Sequence, residues 1–213
     1  MTYVAWAVLY EGDTDAAYFD ILIPRLMEEL VTSSRKSSTI PLAPAIRFRR
    51  SSLENIAEEA YRTKDAFHLI FIHADTGGRA LEQGMYHRGE AYCAAIRARC
   101  AWPNDRCIII APRHETEAWI LADPDAVINT LGYTGSPASL GLPQNGAAAE
   151  RLSDPKAILQ SAVTQVRKRR RAFEAAQIYP AIAQRQRFSE LRNANSFRNF
   201  ENYVRIALQT LGL

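Results

Sequence analysis

The sequence is short of cysteine, of long apolar runs and of excess charge of either sign. Its 213 residues hold three cysteines, Cys93, Cys100 and Cys107, an odd number with no C-x-x-C pair among them. Neither a zinc site nor a disulfide framework is expected from that spacing. The three read as reduced thiols, buried or half-buried, of a cytosolic protein. No apolar run approaches the roughly 20 residues needed to span a bilayer. No basic stretch precedes the first apolar run, and Glu11 interrupts that run early, so no signal peptide is expected. There are 26 Lys and Arg against 23 Asp and Glu, a net charge of +3. So small an excess permits an anionic partner without arguing for one. No internal repeat is visible.

What is present is an ordinary globular composition, 47% hydrophobic and 23% charged, enough for one domain or one domain with an appendage. Residues 3–10 (YVAWAVLY), 67–78 (FHLIFIHADTGG, which ends in an acid followed by glycines) and 106–112 (RCIIIAP) are strong strand signals, their nearly continuous apolar runs the pattern of strands buried on both faces. Residues 45–50 (AIRFRR) predict a second, more exposed strand. Between these runs, apolar residues at helical spacing predict helices over 13–31, 51–62 and 79–101, the first kinked or split at Pro24. Ser52 is expected to cap the second helix. A helix from 114 to 123 and a short one begun at Pro124 follow, Asp123 serving as the latter's cap. Residues 132–149 read as a long surface loop, and 154–213 as all helix. Strands alternating with helices predict right-handed crossovers and a mostly parallel sheet with helices on both faces.

In such a sheet the carboxyl ends of the strands share one edge, and ligands bind beyond it. Glu11 ends the first run, Asp75 follows the third strand, and Glu115 and Glu117 lie just past the fourth. The fold is thus expected to gather carboxylates more than a hundred residues apart. Clustered carboxylates repel one another and are costly to desolvate. A hard, oxygen-seeking ion such as Mg²⁺ or Mn²⁺ removes that cost. Gly12 and Gly77-Gly78 allow sharp turns beside them, and the helix begun near Asp13 offers its amides to a phosphate. Asp13 and Thr14 are assigned to the cap, Asp15 to the first helical turn, and Glu11 to the site.

Other motifs resolve differently. His114-Glu115 lacks the second histidine of H-E-x-x-H, because Ala118 occupies that position. Asp75-Thr76-Gly77 matches the catalytic tripeptide of retropepsin-like proteases, but those folds are all-β and need two copies. The run Arg167, Lys168, Arg169, Arg170, Arg171 is a solvated helix or a phosphate-contacting surface. Arg47, Arg49 and Arg50 form a second basic patch at the sheet edge.

"LYEGDTD", "FIHADTGG" and "APRHETEAWILAD", each after a strand, together with the tail "FSELRNANSFRNFENYV", resemble the Toprim domain. More narrowly, they resemble uncharacterised bacterial Toprim-like proteins related to the overcoming-lysogenization-defect nucleases. The resemblance implies a Toprim-like (Rossmann-like) α/β domain over residues 1–135 and a loop with a helical C-terminal extension over 136–213, packed on it. It implies a metal-dependent nuclease, a hydrolase of phosphodiester bonds in nucleic acid, using Mg²⁺ or Mn²⁺. Glu11, Asp75 and Glu117 are its expected catalytic residues, and Glu11, Asp75, Glu115 and Glu117 its expected metal ligands. Residues 167–171 are the expected nucleic-acid contacts. It further implies a cytoplasmic setting in anti-phage defence, beside an ATPase partner. Where the family has a second aspartate this chain has Gly77. That leaves open an alternative, a non-catalytic Toprim-like subunit that binds a partner protein such as an ATPase.

Overall fold

The apolar runs become strands, and their period of two divides each run between two cores. The computed structural model describes residues 2–34, 38–74, 86–167 and 174–213. The chain begins with β1 (Thr2–Tyr3), β2 (Trp6–Leu9) and α1 (Asp13–Ser33). Next come β3 (Ser38–Thr39), β4 (Ile46–Phe48), α2 (Leu53–Thr63), β5 (Leu69–His73), α3 (Tyr86–Cys100) and β6 (Cys107–Ile110). The remainder is helical: α4 (Thr116–Ile120), α5 (Pro124–Leu131), α6 (Gly146–Ala149), α7 (Pro155–Val166), α8 (Tyr179–Arg185), α9 (Phe188–Leu191) and α10 (Asn195–Thr210).

The main sheet has the order β4-β2-β5-β6, and every pairing in it is parallel. β1 and β3 make a separate short parallel pair. The class is therefore α/β, a parallel sheet flanked by helices. Trp6, Val8, Leu69, Phe71, Ile108 and Ile110 face one core, built with α1, α4, α8 and α10. Their alternates Ala7, Leu9, Ile70 and Ile72 face the other, against Ile56 of α2 and Ile96 of α3. The first core runs on through Leu159, Ile182 and Phe200 to Leu213. The C-terminal helices thus share the core of the sheet.

Several local expectations change. Pro24 neither splits α1 nor ends it. Leu22, Ile23, Leu26 and Met27, around the proline, are all buried, and that packing outweighs the roughly 3 kcal/mol a helical proline costs. The N-cap of α1 is Gly12, with no side-chain cap. Asp13 and Thr14 therefore stand inside the helix, where an acid still favours the dipole. The Ser52 and Asp123 caps are as expected: each side chain accepts from the backbone N–H three residues on, at 3.3 Å. The 132–149 stretch holds a 3₁₀ turn (Pro137–Leu140) and α6. No helix among the described residues is long and apolar enough to cross a membrane.

The cysteine reading is corrected. Cys93 of α3 and Cys107 of β6 form a disulfide, their Cα atoms 5.5 Å apart. Cys100 is free and buried. Sequence spacing gave no sign of the pair, because the packing of α3 beside β6 brings the two residues together.

Candidate active site at the carboxyl ends of the strands

β2, β5 and β6 are neighbours and parallel, so the segments leaving them emerge along one edge. Glu11 lies two residues past β2 and His73 is the last residue of β5. Beyond β6 the chain turns through His114, whose φ of 70° is left-handed. It then enters α4, whose first turn buries Thr116 and Glu117.

Asp15 is where three elements meet. Its Oδ1 accepts a hydrogen bond from the Thr116 hydroxyl at 2.6 Å. Its Oδ2 lies 3.6 Å from Nδ1 of His73. The same Thr116 hydroxyl is 3.4 Å from Nε2 of His73. Phe19, one helical turn along α1, packs against the His73 ring at 4.9 Å between centroids. Asp15, assigned from sequence to the first helical turn alone, is thus a buried member of the site.

Glu117 lies beside this group and accepts a hydrogen bond from the Tyr179 hydroxyl of α8. Burial pushes its carboxyl above the ordinary value, and the charge of Asp15 adds to the effect. The Tyr179 hydroxyl is itself pushed well up, first by burial and then by the charges of Glu117, Asp15 and Glu115. It therefore stays a hydrogen-bond donor. Glu115 is raised by burial and by the charge of Glu117, although the Lys156 N–H, which donates to its Oε1 at 2.9 Å, opposes this. Glu11 faces elsewhere: its Oε1 is 3.4 Å from Arg50 and 3.8 Å from Arg88.

The four acids are thus held by different elements. Glu11 leans toward arginines after β4 and in α3, Asp15 onto α4, Glu115 onto α7, and Glu117 onto α8. Among the described residues no three of His, Cys, Asp and Glu converge closely enough to hold a metal ion. Glu11, Glu115 and Glu117 do not make a ligand set by themselves. Asp75 lies outside the described residues. Asp15 and Glu117 are buried carboxylates whose charges oppose each other. Arg167 stands at the C-cap of α7, and Lys168, Arg169, Arg170 and Arg171 lie outside the described residues.

A family model described as a domain of unknown function (DUF4276) matches residues 10–205. The chain belongs to DUF4276. The match begins just before Glu11 and ends within α10, so it takes in all of the site and most of the helical tail. No curated protein and no solved structure matches the chain.

Sequence reasoning about this DUF4276 chain missed Asp15, Thr116 and Tyr179. A third acid in "EGDTD" was the available signal for Asp15, since a cap does not need three. Tyr179 carries no local signal, for it reaches Glu117 from 62 residues away.

Proposed function

We propose that this protein is a metal-dependent hydrolase of phosphodiester bonds in nucleic acid, a Toprim-like nuclease. The observation that carries the reading is the buried pair Asp15 and Glu117, with Glu11 and Glu115 on the same sheet edge and Glu117 raised above the ordinary carboxyl range. For Glu11, Asp75 and Glu117, with Glu115 as a further donor, to hold Mg²⁺ or Mn²⁺, Glu11 would have to leave Arg50 and Arg88, and Glu115 the Lys156 N–H. When bound, the ion supplies positive charge to the phosphoryl oxygens. Glu117 is assigned as the carboxylate that accepts the proton of the attacking water. A water oxygen bonds to phosphorus, its proton passes to Glu117, the P–O ester bond breaks, and the leaving oxygen takes a proton from solvent. Tyr179 and Thr116 fix the orientation of Glu117 and Asp15 through the hydrogen bonds they donate. The cytoplasm and an anti-phage setting beside an ATPase belong to the same reading.

A second reading is favoured by Glu11, already engaged by two arginines, and by Gly77 where a Toprim site has an acid. In it the protein is a non-catalytic subunit that binds a partner protein such as an ATPase. A cleavage assay on DNA and RNA with Mg²⁺ or Mn²⁺ separates the two. Metal-dependent cleavage that is lost in Glu11→Ala, Asp75→Ala and Glu117→Gln supports the nuclease. Absence of cleavage by wild type, alone and with its genomic neighbour, leaves only the binding subunit.

A further inference from the structure

Glu11 separates two recesses. On one side is a cavity of about 590 Å³ bordered by Tyr10, Gly12, Arg47, Arg49 and Arg50. On the other is a narrow cleft bordered by His73, Arg88 and Tyr92. Arg50 lines both. Charge is layered at this mouth. The Glu11 side chain is only 20% exposed, whereas those of Arg50 and Arg88 are 51% and 68% exposed. An approaching anion therefore meets two guanidiniums before it meets the acid. Arg47 is taken by Asp20, and Asp13 also borders the larger cavity. Arg49 is exposed, and among the described residues no carboxylate pairs with it. Among the described residues, Arg49, Arg50 and Arg88 border the two recesses beside Glu11 and Asp13, three cations to two acids once Arg47 is paired with Asp20.

The other basic candidate starts farther off. At about 1.5 Å per residue, Arg167 lies roughly 16 Å along α7 from Lys156, whose N–H binds Glu115.

We propose that Arg49 and Arg50 grip the phosphodiester backbone of a single nucleic-acid strand seated in the cavity between β4 and the start of α1, and that Arg88, across Glu11 in the neighbouring cleft, holds the strand's next phosphate. The ligand class rests on the nuclease reading, but binding does not require cleavage. Guanidinium groups pair phosphate oxygens in a planar, two-pronged geometry. The recess, about 590 Å³, has room for a nucleotide or two. Gly12 at its rim, at the N-cap of α1, adds backbone N–H groups that favour a phosphate.

The test is fluorescence anisotropy in EDTA with a fluorescein-labelled single-stranded DNA and its RNA counterpart, so that cleavage plays no part. Wild type should bind at least one of them, with affinity falling as salt rises. Arg49→Gln, Arg50→Gln and Arg88→Gln should each weaken binding several-fold and lower the log–log salt slope by about 0.7 for every phosphate no longer neutralised. Arg50→Lys and Arg88→Lys should recover most of the slope, and Arg167→Gln should leave it unchanged. An unchanged slope in all three Gln variants overturns the proposal, as does a loss confined to Arg167→Gln, tighter binding of duplex than of single strand, or no binding by wild type. A protein that binds through these arginines yet never cleaves would sink the nuclease reading and leave this one standing.

Discussion

The hydroxyl of Thr116 donates to the carboxylate of Asp15 at 2.6 Å, joining α4 to α1 across 101 residues of sequence. Both residues are buried. A buried carboxylate that loses a donor keeps its desolvation cost without the compensating bond. Thr116→Val, nearly isosteric, should therefore lower stability by about 1–3 kcal/mol, read as a shift in urea midpoint. Thr116→Ser keeps the hydroxyl and should recover most of it. A Val variant as stable as wild type would show that the bond contributes nothing net.

Glu117 makes a pH signature. Its folded carboxyl is raised above the ordinary 4.5, chiefly by burial. Above 4.5 and up to the raised value, the folded state therefore binds more protons than the unfolded one. Stability falls as pH rises through that window. Glu117→Gln keeps an oxygen for the Tyr179 hydroxyl and removes the titration. The variant should gain stability relative to wild type as pH rises through the window, and that gain should shrink as pH falls back toward 4.5. Parallel melting temperatures of the two proteins across pH would contradict the assignment.

Arg187 grips the fully buried Asp123 twice over. Its guanidinium reaches Oδ1 at 2.6 Å and Oδ2 at 3.0 Å, and its own backbone N–H donates to Oδ2 at 2.9 Å. Burial alone would raise the Asp123 carboxyl, but the Arg187 bonds and the Ala126 N–H hold it below the ordinary range. Its contribution is therefore present above pH 3.8, the unfolded value, and disappears as pH falls through the lower, folded one. Arg187→Ala strands the buried carboxylate and should cost about 3 kcal/mol at neutral pH, measured by chemical denaturation. The difference from wild type should narrow in strong acid.

Gly146 opens α6 directly against the segment before α10. A Cβ there would sit 2.6 Å from the backbone nitrogen of Ala194. Because backbone must move to admit it, Gly146→Ala should destabilise by about 1–3 kcal/mol. Glu150, one residue past α6, binds the Asn195 and Ser196 N–H groups at 2.8 and 2.7 Å. The same shift should loosen that pairing and raise hydrogen exchange at the two amides. An Ala variant with wild-type stability would mean that α6 can retreat freely.

The Cys93–Cys107 disulfide closes a short loop, 14 residues in separation, between α3 and β6. Cys93→Ser should cost about 3 kcal/mol relative to oxidised wild type. Reduction of wild type should bring its denaturation midpoint close to that of the variant. Thiol alkylation under denaturing, non-reducing conditions should modify Cys100 alone in wild type. Three modified cysteines would show that the pair is not joined.

The four strands of the main sheet and the alternation of strand and helix were readable from sequence, whereas β3 lies in a stretch that reads as a polar loop. These follow from short-range patterns: apolar runs of strand length, helical spacing between them, and the parallel topology that such alternation requires. Trp6 and Val8 against Ala7 and Leu9 is that period of two made visible in two cores. Side-chain partners were not readable. That Asp15 meets Thr116 depends on how α1 is rotated against α4, and rotation is set by packing between elements distant in sequence. The same packing brought Tyr179 to Glu117, Cys93 to Cys107, and Arg50 and Arg88 to Glu11. The sequence by itself determined that strands alternate with helices in a parallel sheet. Only the tertiary structure decided which acid is buried, which is paired, and by what, because those outcomes depend on contacts that no local pattern encodes.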